Sequence, residues 1–340
     1  MIKKTLKIKL SMPSDDWPIL QQTPASSGIW ENCEFFVNSP IPECDYWVVL
    51  DDVQYPETTI CPNGNTLLIT GEPPDIKKYN RKFTSQFGNI LSCNPAIKHK
   101  NLLLSQQALP WHVGRKQISH KNLEFTKSYD ELKKIRKYQK NKLISVIVSD
   151  KVMSDGHRQR IEFVSYLKTA SGIEIDFFGR GFKEIEDKWD AIYPYKYHIV
   201  LENCSYPHYW TEKLTDCFMG GAYPLYFGCP NIHEYFSQKS MTTIDIFNME
   251  QARKGIEQAI ETYSYENSII ELAKAKDLCL DKYNLFAVVS RLAKQAITSD
   301  KKPLTTMILP EAHFQKHIGP INLIKKPIRK IKSALRRVQK

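Results

Sequence analysis

The chain has 340 residues, of which 42% are hydrophobic and 25% are charged. This length predicts two domains or one large one. No window holds the roughly 20 apolar residues that a membrane-spanning helix needs, which argues against an integral membrane protein, and the eight scattered cysteines lack zinc-site spacing.

The first part of the chain predicts a sheet with long loops. Residues 1–10 alternate charged and apolar residues, as in a strand rather than a signal peptide. Further β-rich runs, Tyr46–Leu50 and 65–70, are bounded by Pro, Gly and Asn. The polar, basic stretch 116–142 predicts a linker, so we place the domain boundary near residue 140 and assign residues 1–140 to an N-terminal domain.

After residue 140, strands and helices are predicted to alternate. Strand-like runs occupy 143–148, 173–178, 197–201, Tyr223–Phe227 and 242–246, and a helix is predicted over 158–168. This alternation predicts a parallel, doubly wound sheet, whose ligand would lie beyond the strand ends at Val148, Leu201 and Phe227. Helical patterns at 256–263 and 285–292 are expected to close this second domain, residues 141–300.

One predicted strand end carries polar residues suited to a nucleotide. His198-Ile-Val-Leu201 leads to Glu202 and Asn203, and then to Tyr209-Trp-Thr-Glu-Lys213 at a helix start with Thr211 as its N-cap. Helix N-termini bind phosphates through free N–H groups and the helix dipole. Lys213 would add a charge, Glu212 could accept ribose hydroxyls, and Asn203 could donate to phosphate or fix the loop. The alternative is a capped helix with a surface Glu-Lys pair.

These residues resemble the signature of glycosyltransferase family 10, the α-1,3/1,4-fucosyltransferases. That signature runs Phe-Glu-Asn, a loop, Tyr-x-Thr-Glu-Lys, a helix, a small residue and x-Pro-x-x-x-Gly. The chain has Leu201-Glu-Asn203, Tyr209-Trp-Thr-Glu-Lys213, Gly221 and Tyr223-Pro-Leu-Tyr-Phe-Gly228. Arg160-Ile-Glu-Phe-Val-Ser-Tyr-Leu167 and Ile175-Asp-Phe-Phe-Gly-Arg180 are similar to the family's arginine-bearing helix and Val-Asp-x-x-Gly-Arg strand end.

The resemblance implies an α/β GT-B fold, in which two Rossmann-like domains face each other across a cleft: residues 1–140 on the acceptor side and residues 141–300 on the donor side. It also implies a nucleotide-sugar donor, GDP-fucose, and no required cofactor. The donor-binding residues would be Arg160, Glu202, Asn203, Tyr209, Glu212 and Lys213, with Arg158 as a fallback for Arg160. A guanidinium binds diphosphate oxygens bidentately.

Before residue 140 the resemblance is confined to Thr70-Gly-Glu-Pro-Pro74, which is similar to the family's Glu-x-Pro segment. It implies that Glu72 is the general base of an inverting transfer, with Arg160 and Lys213 stabilising the leaving diphosphate. The alternative is a turn-forming acid before two prolines.

The paired acids Asp51 and Asp52 after a predicted strand suggest a metal site, since carboxylates hold Mg²⁺ or Mn²⁺ on nucleotide sugars in another glycosyltransferase fold. Acids at strand ends are also common turn formers. Because the resemblance implies no metal held by protein carboxylates, we predict no metal ligands; a divalent cation could accompany the donor without them.

The final residues form a basic segment. Eight of the eleven net positive charges lie at 324–340, where Ile324, Ile328, Ile331, Leu335 and Val338 repeat at helical spacing. After a linker at 301–323, this predicts an amphipathic helix on the anionic inner face of a membrane, and hence a cytoplasmic, peripherally attached protein. Nucleic-acid binding is the rival, but no recognition motif accompanies the charge.

The sequence therefore predicts an α-1,3-fucosyltransferase that acts on a glycan acceptor such as a surface polysaccharide, O-antigen or other lipopolysaccharide glycan, or a glycoprotein. The same fold could use another nucleotide sugar. A catalytically inactive sugar-nucleotide or glycan-binding protein is the alternative from a different class.

Overall fold

The computed structural model describes residues 4–13, 17–62, 64–119, 122–149, 155–170, 172–297 and 302–315. The predicted basic helix at 324–340 lies outside these residues. None of the described helices is long and apolar enough to cross a membrane.

The first unit is built on a seven-stranded sheet. In chain order its region contains β1 (Leu6–Ser11), β2 (Ile29–Trp30), β3 (Cys33–Val37), β4 (Tyr46–Leu50), β5 (Glu57–Pro62), β6 (Thr66–Ile69), helix α1 (Arg81–Thr84), β7 (Asn89–Ser92) and β8 (Leu102–Leu104). The sheet order is β2-β3-β1-β4-β6-β7-β8, and every pairing except β2 with β3 is parallel. Every residue of β4 and β6 is buried, as expected for parallel strands covered on both faces.

The segment predicted as a linker is ordered structure. It contains the hairpin β9 (Arg115–Ser119) and β10 (Asn122–Phe125), followed by α2 (Tyr129–Lys134), whose first turn is closed by a capping box. Trp111, Val113 and Leu132 already belong to the core of the second unit. The chain therefore crosses between the units before residue 111, earlier than the predicted boundary near 140, because its polar composition hid a few buried anchors.

The second unit has a five-stranded, fully parallel sheet in the order β12-β11-β13-β14-β15. Its elements are β11 (Lys142–Ile147), α3 (Asp155–Ala170), β12 (Asp176–Phe178), α4 (Lys188–Ile192), β13 (Tyr195–Leu201), α5 (Glu212–Met219), β14 (Tyr223–Phe227), β15 (Thr242–Thr243), α6 (Met249–Glu261), α7 (Ser264–Asn267) and α8 (Ile269–Asp281). The predicted alternation of strands and helices is confirmed here.

The last two elements return to the first unit. Helix α9 (Leu285–Ala296) packs Phe286, Val289 and their neighbours into the core under the first sheet, and β16 (Pro303–Ile308) pairs antiparallel with β5. The prediction that α9 closes the second domain is therefore wrong, and part of the predicted linker is a strand. An apolar stripe shows that a helix face is buried, but not which sheet buries it.

The carboxyl edges of the two sheets face each other. Asp75 follows β6 and accepts a hydrogen bond from the hydroxyl of Tyr206, which follows β13, at 3.0 Å. Cys93, which follows β7, packs against Cys204 and Tyr209. Two parallel α/β units meeting across a cleft in this way form the GT-B architecture predicted from the sequence.

Candidate functional site

A cavity of about 230 Å³ lies beyond the carboxyl ends of β11 and β13. Its walls include the backbone after Val148 and Leu201, as predicted for a doubly wound sheet. Three cationic side chains, those of Arg160, Lys188 and Lys213, line it. The carboxylate of Asp216 lines it as well, and the excess of cations over carboxylates in the lining suits an anionic group.

Arg160 is held at the end of β13 by close packing of helix α3. A Cβ at Gly156, in the first turn of α3, would lie 1.9 Å from the carbonyl oxygen of Asn203, so only glycine allows this approach. One turn later, Arg160 Nη1 donates to the Leu201 carbonyl at 3.3 Å. Its buried Nε has no partner, and burial lowers the pKa of its guanidinium. This unsatisfied donor suits an anionic ligand.

Arg158, the fallback, points away from the cavity lining. Its side chain is 64% exposed and lies 3.6 Å from the carboxylate of Asp155, one turn earlier in the helix. The structure thus brings Arg160, and not Arg158, to the site.

Glu202 has a different position from the one predicted. It is fully buried, and its carboxylate accepts hydrogen bonds from both the N–H and the hydroxyl of Thr211, each at 2.8 Å. The Lys213 ammonium lies 3.3 Å from the same carboxylate and donates to the Thr211 hydroxyl at 3.0 Å. Glu202 therefore fixes the N-cap of α5 and aims Lys213, and it presents no free oxygen to a donor.

Glu212 lies between two ammonium groups. Its Oε1 is 3.5 Å from Lys213 Nζ, 3.6 Å from Lys188 Nζ and 3.9 Å from His112 Nδ1. Burial opposes ionisation, but the two lysines outweigh it and hold the pKa of Glu212 well below its usual range. Glu212 is consequently an ionised acceptor between the two lysines that line the cavity, and an ionised acceptor is what ribose hydroxyls need.

Lys188 and its buried partner Asp216 were missed from the sequence. Lys188 Nζ lies 3.0 Å from Asp216 Oδ2, while Asp216 Oδ1 accepts the backbone N–H groups of His112 and Val113 at 2.7 and 3.0 Å. This carboxylate therefore ties the crossover between the units to helices α4 and α5. The sequence signal that could have pointed to Lys188 is Asp187, an N-cap residue directly before it, which places this lysine at the start of a helix.

Asn203 lines the cavity, whereas Tyr209 does not. The Tyr209 side chain is 1% exposed and packs with Cys93 and Cys204 between the two units. Burial, followed by the nearby Glu202 carboxylate, raises the pKa of its hydroxyl. In this conformation Tyr209 supports the cleft wall and has no access to the donor cavity.

Glu72 lies in the first unit, on the segment after β6, and is close enough to Lys213 of the second unit for the two charges to interact. Its buried Oε2 has no hydrogen-bond partner. Burial raises the pKa of Glu72, and the ammonium of Lys213 is the strongest opposing influence on that pKa. The hydroxyl of Tyr79 accepts the N–H groups of Gly71 and Glu72 at 3.1 and 3.3 Å, which fixes the loop.

Asp51 and Asp52 stabilise the structure around the loop that carries Glu72. Asp51 accepts hydrogen bonds from Tyr79 at 2.5 Å and Lys77 at 3.0 Å, and Asp52 accepts the N–H of Glu311 at 3.0 Å. Among the residues that the structure describes, no group of three or more His, Cys, Asp or Glu side chains could hold a metal ion. These two acids therefore act as supports for the loop.

Comparisons with known proteins agree with this geometry. Residues 137–261 match the family described as glycosyltransferase family 10 (fucosyltransferase), C-terminal. Among curated proteins no sequence matches the chain. A solved α1,3-fucosyltransferase structure matches with a TM-score of 0.50 and 15% identity over 80% of this chain and 82% of that one, which supports the shared fold.

Two further solved structures show weaker likeness. An α1,3-fucosyltransferase with GDP matches at a TM-score of 0.48 and 14% identity, over 84% of this chain and 94% of that chain. An α1,3-fucosyltransferase with GDP-fucose matches at a TM-score of 0.44 and 15% identity, over 92% of this chain and 90% of that chain. Residues 137–261, the greater part of the second unit, are thus similar to the C-terminal part of glycosyltransferase family 10.

Proposed function

We propose that the protein transfers L-fucose from GDP-fucose to a hydroxyl of a glycan acceptor, with inversion at the anomeric carbon. The proposal rests on one arrangement above all: Glu72 of the first unit, whose buried Oε2 has no hydrogen-bond partner, lies within electrostatic reach of Lys213, which lines the cavity in the second unit. A base on one side and a diphosphate site on the other leave the cleft between them for the sugar.

In this mechanism Glu72 takes the proton from the acceptor hydroxyl while that oxygen attacks the anomeric carbon of fucose. The bond from that carbon to the β-phosphate oxygen breaks, and its electron pair departs with GDP. Arg160 and Lys213, preorganised by Leu201 and Glu202, stabilise the charge that gathers on the leaving diphosphate. Glu212 accepts the ribose hydroxyls.

The donor and the acceptor class are tested by mass spectrometry of products formed from GDP-fucose and a mixed glycan library. A mass increment of one deoxyhexose on a library member is expected. A panel of other nucleotide sugars, assayed for hydrolysis without acceptor, tests the alternative donor: faster hydrolysis of another sugar nucleotide would replace GDP-fucose in the proposal.

Replacing Glu72 by glutamine tests the base. The variant should bind GDP as the wild type does but lose about 10²- to 10⁴-fold in kcat. Because burial raises the pKa of Glu72, kcat/KM of the wild type should fall with acidification at a pH above the ordinary value of 4.5, as the base becomes protonated. An E72Q enzyme with full turnover would contradict this assignment. GDP binding by the wild type without transfer to any glycan would favour an inactive binding protein.

We further propose that the acceptor is a surface polysaccharide or lipopolysaccharide glycan and that residues 324–340 attach the enzyme to the inner face of a membrane. These residues carry eight positive charges and no negative one, which suits an anionic leaflet. Sedimentation with anionic vesicles should decrease when the eight basic residues are replaced by glutamine. If those replacements instead abolish only a salt-dependent binding to nucleic acid, the membrane proposal fails.

A further inference from the structure

A groove of about 540 Å³ in the first unit lies away from the cleft. Its walls include Gly64, which precedes β6, Gly88, which precedes β7, and the segment 98–100, which precedes β8. Since these strands are parallel, the groove lies at their amino edge. Glu72 and the cleft lie at the opposite, carboxyl edge of the same sheet.

The groove carries uncompensated positive charge. Arg81, Lys98 and Lys100 line it and are exposed, and no acidic side chain is among the described residues that line it. None of the three forms an ion pair within the described part of the chain, whereas Lys77, on the side of the cleft, pairs with Asp51 and Glu311. Their charge is therefore available to an external anion.

An apolar side chain borders this charge. Leu304 lines the groove and is 54% exposed. On the other face of the β5–β16 ribbon, where Ile60 pairs with Thr305 and Met307 with Thr58, Ile60 and Met307 are also exposed. An exposed leucine beside exposed cations can enter the interface of a membrane while the cations contact headgroups.

The charge of the chain beyond the described residues has the same sign. The segment 324–340 carries eight Lys and Arg residues and no acid. Because that segment is itself cationic, it would not fill the groove, and both suit one anionic surface.

We propose that this groove is a second membrane-binding site, in which Arg81, Lys98 and Lys100 contact anionic phospholipid headgroups while Leu304 enters the interface. With the membrane at the amino edge of the first sheet, the cleft at the carboxyl edge stays open to donor and acceptor. This site is independent of the transfer reaction, and transfer to a soluble acceptor should not depend on it.

The test uses the full chain and flotation with phosphatidylcholine vesicles that contain phosphatidylglycerol. The variant R81Q/K98Q/K100Q is compared with K137Q/K168Q/K239Q, which removes the same charge from exposed lysines outside the groove. Each basic residue near an anionic surface contributes about fivefold in affinity, so the groove variant should bind at least about tenfold more weakly than the control. Equal binding by the two variants would overturn the proposal.

A second variant separates lipid from soluble polyanions. Leu304→Ser changes an exposed side chain and leaves the charges in place. It should weaken vesicle binding severalfold and leave elution from heparin unchanged. If L304S binds vesicles as the wild type does, a membrane does not occupy the groove, and the lipid assignment is wrong whether or not fucosyl transfer is found.

Discussion

Replacing Glu202 by glutamine tests whether this residue supports the site or contacts the donor. The carboxylate is fully buried, accepts two hydrogen bonds from Thr211, and lies beside the Lys213 ammonium. An amide of the same shape has one acceptor oxygen. The NH₂ group of the glutamine, a donor, must therefore face another donor, either the Thr211 N–H or the Lys213 ammonium.

Losing a hydrogen bond to a charged acceptor costs about 1.5–3 kcal/mol, and breaking a buried ion pair costs about 3–5 kcal/mol. Lys213 keeps Glu212 at 3.5 Å and is 26% exposed, which reduces the second cost. We expect E202Q to lower the free energy of unfolding by about 2–4 kcal/mol. Lys213, released from its position, should also lower kcat.

The measurement is urea unfolding followed by circular dichroism, together with calorimetric titration of GDP. Glu261→Gln, an exposed change on α6, is the control and should match the wild type. The reasoning would be refuted by an E202Q protein as stable as the wild type, within about 0.5 kcal/mol, that has lost GDP affinity. That result would mean that Glu202 contacts the donor directly.

Three further changes test other parts of the site. Lys188→Met removes one of the two ammonium groups beside Glu212, so the Kd for GDP should rise about tenfold. Lys188→Arg keeps the positive charge and should restore most of the affinity. If it restores none, the shape of the side chain, and not its charge, is responsible. Gly156→Ala, measured by thermal unfolding, should cost about 1–3 kcal/mol because its methyl group meets a backbone carbonyl, whereas Gly172→Ala, with open space around it, should be neutral. Burial lowers the pKa of His198 to about 3 from 6.5, so as pH falls below 6.5 the unfolded chain gains a proton that the folded chain excludes. Between pH 7 and pH 5 the wild type should therefore lose about 2 kcal/mol more unfolding free energy than His198→Gln, and parallel losses in urea titrations would contradict the burial of a neutral imidazole.

Much of the donor half follows from local sequence. The alternation of apolar strands with helices predicts the parallel sheet, and Thr211 before Glu212 predicts the helix start, because N-capping depends on residues within one turn. Arg160 and Lys213 were selected from the family resemblance, and the structure places both at the cavity. The spacing of apolar residues and the capping of a helix depend on residues that are close in the sequence, so a single sequence is enough to predict them.

The roles of individual acids could not be found in this way. Glu202 and Glu212 stand ten residues apart and have the same chemistry, yet one is fully buried on Thr211 and the other is held between two lysines. The side chain that each carboxylate faces depends on how the loop between them folds back. Lys188 and Asp216 lie 28 residues apart and form a pair only because α4 and α5 pack together.

The sequence by itself determined the class of fold, the alternation of strands and helices after residue 140 and the residues with the chemistry to bind a diphosphate. Tertiary structure alone decided that α9 belongs to the first unit, that the crossover precedes residue 111, and that Glu72 comes within electrostatic reach of Lys213. These features depend on contacts between residues more than 100 positions apart. The pattern of a helix or strand states that a face is buried, whereas its partner is selected by the packing of the whole chain.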